Sequence, residues 1–135
     1  MVKVIMGLKG SGKTKQLVDM INAAAGTENG NVVAIERNPN LTFDIHYKIR
    51  LVDCESYGVK GYTALKGFIS GLYASNYDIT HIFIDGLLKI VGDYGPETEE
   101  FFGWLEQFSE KNSIKFTVSV SADEALASEN VRKYF

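Results

Sequence analysis

The chain has 135 residues, 45% of them hydrophobic and 23% charged, with a formal net charge of −3. That length supplies one core and not two, so a single domain over residues 1–135 is expected, and the acidic balance excludes a general electrostatic case for nucleic acid or an anionic membrane surface. Cys54 is the only cysteine, which rules out an intrachain disulfide and a cysteine metal cluster, and no apolar run nears the roughly 20 residues of a membrane span.

Residues 1–6 are a short apolar run ending at Gly7, which predicts a buried strand. A single lysine and this brief run before a glycine loop do not make a signal peptide, so the cytoplasm is the expected location. Residues 12–25 predict a helix with Leu17, Val18, Ile21 and Ala24 on one side, stopped by Gly26. NVVAIE (31–36) predicts a second strand, closed by Asn38 and Pro39. KIRLVD (48–53) alternates like a third, and SYGVKG beyond it marks a turn.

From Tyr62 to Ser75, the residues Leu65, Phe68, Ile69 and Leu72 recur at helical spacing. ITHIFID (79–85) reads as an apolar strand ending in an acid. Residues 86–95 read as a glycine-containing loop whose Leu87, Leu88, Ile90 and Val91 either form an exposed switch surface or, the preferred reading, begin a short buried helix. Pro96 suits the first position of a helix running to about Lys111, which buries Phe101, Phe102, Leu105 and Phe108 and carries a solvated acidic face. IKFTVSVS (114–121) predicts the fifth strand, and residues 123–134 a terminal helix with Leu126 and Val131 inward. Five strands alternating with four helices predict an α/β three-layer α/β/α sandwich around a mainly parallel five-stranded sheet. His46 and His81 lack ligand spacing, so no metal site made of side chains alone is expected.

The run Gly7, Leu8, Lys9, Gly10, Ser11, Gly12, Lys13, Thr14 fits G-x-x-x-x-G-K-[ST] without a gap. Glycines let the backbone curl so that successive N–H groups point inward at phosphate oxygens, and the following helix adds its positive dipole end. Lys13 suits the β- and γ-phosphates, and the Thr14 hydroxyl suits Mg²⁺. A chance glycine turn is the plain alternative, but the run sits between a predicted strand and a predicted helix.

With this loop and the strand HIFID (81–85), the sequence resembles the P-loop NTPases. The resemblance implies the P-loop NTPase fold, with ATP and Mg²⁺ as cofactors. It also implies that Asp85 orders the metal shell from the end of a strand beside the loop's own strand. An acid that merely ends a strand is the competing explanation.

Within that family the guanine signature Asn-Lys-x-Asp is absent, so ATP is expected rather than GTP. Leu8 stands where chromosome-partitioning ATPases carry a second lysine, and Gly86 stands where many ATPases place a glutamate. Thymidine-kinase-like enzymes need that glutamate and a cysteine-bound zinc, and both are missing. RecA-like ATPases instead carry a glutamate at the end of the strand after the loop's helix, and Glu36 resembles it. Pairing of Glu36 with Arg37 or a neighbour is the alternative. A polar residue near the terminal phosphate is expected among Thr117, Ser119 and Ser121, against a half-polar sheet face. The arginines are Arg37, Arg50 and Arg132, without a lid insertion, and Arg132 suits either an arginine supplied to a second copy or a helix-end cation.

The resulting expectation is a minimal RecA-like ATPase domain that hydrolyses Mg-ATP slowly in regulation or assembly, with Lys13, Glu36 and Asp85 catalytic. The alternatives are a small-molecule, nucleoside-type kinase and a nonhydrolysing nucleotide switch. A protein partner or homo-oligomer is compatible with all three, and none involves a membrane.

Overall fold

The computed structural model describes residues 1–38 and 44–135, so Pro39, expected to help close the second strand, lies outside the described residues. Five strands form one all-parallel sheet: β1 (Val2–Gly7), β2 (Asn31–Glu36), β3 (Arg50–Asp53), β4 (Ile79–Ile84) and β5 (Lys115–Ser121), in the order β1-β5-β4-β2-β3. The helices are α1 (Lys13–Thr27), α2 (Tyr62–Ser75), α3 (Leu87–Val91), α4 (Pro96–Asn112) and α5 (Glu129–Arg132).

Period-two alternation assigns each strand residue to a sheet face. Val33, Ile35, Ile82, Ile84, Phe116 and Val118 pack in one cluster that includes Leu65 and Ile69 of α2 and Phe101, Phe102 and Leu105 of α4. Their intervening neighbours Val32, Ala34 and Phe83 join Leu17, Ile21 and Ala24 of α1 in a second cluster. Two cores split by one sheet are compatible with a three-layer arrangement. Among the described residues, no helix is long and apolar enough to cross a membrane.

Several sequence expectations need correction. Gly26 does not stop α1, which runs on to Thr27 and closes when the Glu28 amide donates to the Ala24 carbonyl at 2.9 Å. A helical glycine costs only about 1 kcal/mol relative to alanine, less than the burial of Ile21 and Ala24 contributes. Residues 86–95 contain the expected short helix, α3, but only Leu87 and Ile90 of the four apolar residues are buried, and Leu88 and Val91 are half-buried. The terminal helix is broken: a 3₁₀ turn at Glu124–Leu126, begun where the Asp123 carboxylate accepts from the Ala125 amide, gives way to extended Ala127 before α5. Val131 is buried, but Leu126 is 58% exposed.

The acidic face of α4 is mostly solvated, yet two of its members are tie points. Glu99 accepts from the Tyr94 and Ser128 hydroxyls, and Glu106 accepts from the Tyr134 hydroxyl. Cys54 is fully buried, and burial pushes its thiol up to about 11, as for a small core residue.

Candidate functional site

The glycine-rich run leaves β1 at Gly7, turns where the Ser11 amide donates to the Leu8 carbonyl at 3.1 Å, and enters α1 at Lys13. Gly10 (φ 87°) and Gly12 (φ 85°) hold left-handed backbone that would strain an L side chain. The residue at the start of α1 is Gly12, which has no side chain to cap it, so among the described residues the first-turn amides stay open at the positive end of the dipole. Lys13 is only 9% exposed, and its ammonium folds back into the loop. There it donates to the Leu8 carbonyl at 2.8 Å and to Ser11 Oγ at 3.3 Å. Burial lowers its pKa, the Asp85 carboxylate opposes that shift, and the Lys89 charge adds to it.

Parallel strands bring their C-terminal ends to one edge, so Gly7, Ser121, Asp85 and Glu36 share it. Alternation sets Ser119, Asp85 and Glu36 on the face covered by α1, the face from which Lys13 also rises. Asp85 is half-buried, its Oδ1 accepts from Ser119 Oγ at 3.1 Å, and the same Ser119 oxygen accepts from the Gly86 amide at 2.8 Å. Thr117 does not join them: its hydroxyl lies 2.9 Å from His81 Nε2 inside the sheet face.

The strand that ends before Asp85 is not beside the loop's strand, as had been expected; β5 lies between them. The sheet needs this order because β5 pairs with both β1 and β4 along their lengths. Asp85 is thus two strand spacings from β1, roughly 10 Å, and Glu36 three, roughly 14 Å. Glu36 is 3% exposed. The Arg37 guanidinium donates to the Lys89 carbonyl at 2.9 Å and lies 3.8 Å from Glu55 Oε1. Arg132 donates to the Glu124 carbonyl.

A cleft of about 490 Å³ opens on the loop, lined by Lys9, Lys13, Lys15 and Lys89 together with Thr14 and Ser121. Lys89 was not foreseen. The only sequence signal for it was a lysine inside the apolar run LLKIV, directly after the strand-ending acid. Four ammonium groups and open helix amides suit a polyphosphate, and Thr14 and Asp85 offer the hard oxygen donors that Mg²⁺ takes. Among the described residues no group of three or more His, Cys, Asp or Glu side chains is arranged to hold a metal by itself.

These features define an α/β protein with an all-parallel sheet and a cationic cleft at its C-terminal edge. Comparison with protein-family models and with curated proteins finds no match to the chain.

Proposed function

We propose that this chain is a minimal P-loop NTPase of the RecA-like kind, a three-layer α/β/α domain that binds Mg-ATP and hydrolyses it slowly in a regulatory or assembly role. The observation that carries the reading is the Lys13 ammonium, folded into a glycine loop at the uncapped start of α1 and within electrostatic range of Asp85. Lys13 would exchange the Leu8 carbonyl for phosphate oxygens, and the open amides of the loop and of α1 would hold the inner phosphates. Thr14 and Asp85 would hold Mg²⁺, and Ser119 fixes the Asp85 carboxylate for that task. Bound Mg²⁺ would supply neutralisation of phosphate charge. Glu36, at the same edge and on the same face, is the candidate for orienting water.

A second reading, a nonhydrolysing nucleotide switch, draws on the burial of Glu36 and on the two strands between it and β1. Titration calorimetry with Mg-ATP on wild type and Lys13→Ala tests binding itself. Loss of a charged hydrogen-bond donor is expected to weaken affinity about 10- to 100-fold. Equal affinity in a folded Lys13→Ala variant would sink the scheme. Phosphate release with ATP alone, then with a panel of nucleosides, separates ATPase, kinase and switch.

A further inference from the structure

Two cations reach the cleft from outside the glycine run, Lys15 and Lys89, and Lys89 alone of the four comes from an element other than the loop and α1. Lys89 stands four residues past Asp85 on α3, exposed, while Leu87 and Ile90 beside it are buried. Its stem crosses Gly86 so closely that a Cβ there would meet Lys89 Cδ at 3.2 Å. Its backbone is held at both ends: the amide donates to the Gly86 carbonyl at 2.9 Å, and the carbonyl accepts from Arg37 at 2.9 Å. Lys89 is therefore presented from a fixed base.

Lys9, Lys13 and Lys15 come to the cleft from the loop and α1, and Lys89 comes from α3. Like charges gathered around an open cleft repel, and a polyanion set between them relieves the repulsion. None of the chain's three arginines lines this cleft. Loop amides take the inner phosphates, which leaves the outermost one for the wall that follows Asp85.

We infer that Lys89 contacts the terminal phosphate of a bound nucleoside triphosphate, supplying from the same chain the positive charge that an arginine from a second copy would otherwise bring. The inference rests on the P-loop reading above. It makes Lys89 the residue that distinguishes triphosphate from diphosphate, and it ties that distinction through Arg37 and Glu55 to the region just past β2 and β3.

The test titrates wild type, Lys89→Ala and Lys89→Arg with Mg-ADP and with a nonhydrolysable Mg-ATP analogue, after thermal melts confirm that each is folded. Lys89→Ala is expected to lose about tenfold in affinity for the analogue, to stay within about twofold for ADP, and to have its loss reversed in Lys89→Arg. Equal losses for both nucleotides, or no loss for either, would overturn the assignment while leaving the P-loop reading intact. Wild type that binds neither nucleotide would overturn the P-loop reading and the assignment together.

Discussion

Ser119, within β5, and Asp85, just past the end of the neighbouring parallel strand β4, are joined by a 3.1 Å hydrogen bond from the serine hydroxyl to the carboxylate. The same hydroxyl holds the Gly86 amide, so one oxygen sets both the carboxylate and the turn after it. Ser119→Ala is expected to reduce the Mg²⁺-dependent part of ATP affinity about tenfold and to spare binding in EDTA. It also strips the buried Gly86 amide of its acceptor, at about 1–3 kcal/mol, which urea unfolding would read. An unchanged Mg²⁺ dependence would remove Asp85 from the metal shell.

Glu36 tests the reaction rather than the binding. If it orients water, Glu36→Gln should lower phosphate release at least about 100-fold and leave ATP affinity within about twofold. Undiminished release would leave the nucleotide site standing and take the base away. Tight binding with no release in wild type itself would favour the switch.

His81 gives the fold a pH signature independent of the cleft. Burial pushes its imidazole down from 6.5 to about 4, with Glu28 pulling it up and Lys115 and the amino terminus pushing it further down. Below about pH 6.5 the unfolded chain takes up this proton and the folded chain does not, so stability falls as pH drops from there to about 4. The loss is on the order of 3 kcal/mol. Urea midpoints measured across this window should fall less steeply in His81→Gln than in wild type. Glu28, whose carboxyl is also held low by Lys115, adds its own acid limb to both proteins. Matching slopes would mean that His81 titrates at its ordinary value.

Where local chemistry decides, the sequence was readable. Helix α2 begins and ends where its apolar spacing predicted, Pro96 opens α4, and NVVAIE is β2 from first residue to last. In the loop run, Gly10 and Gly12 adopt the left-handed backbone that glycine permits. What escaped depends on partners distant in the chain. That β5 separates β1 from β4 follows from pairing across more than a hundred residues, which no local pattern encodes. Gly26 and Leu126 misled for the opposite reason. Their local signals were real but weak, and neighbouring burial and the Asp123 turn outweighed them. Lys89 gave only the faint signal of a lysine inside LLKIV, since it is the folding of α3 over Gly86 that brings it to the loop.

The sheet order has one more consequence. Strand β1, which carries the glycine run, has a strand partner on one side only; on the other, the Tyr134 carbonyl accepts from the Val4 amide at 2.8 Å. Strand β4, which carries Asp85, is laced into the sheet on both sides. Among the described strands, the glycine run thus follows an edge strand and Asp85 follows an interior one. A nucleotide bound as proposed would be held between the sheet's edge on the loop's side and its interior on the carboxylate's side.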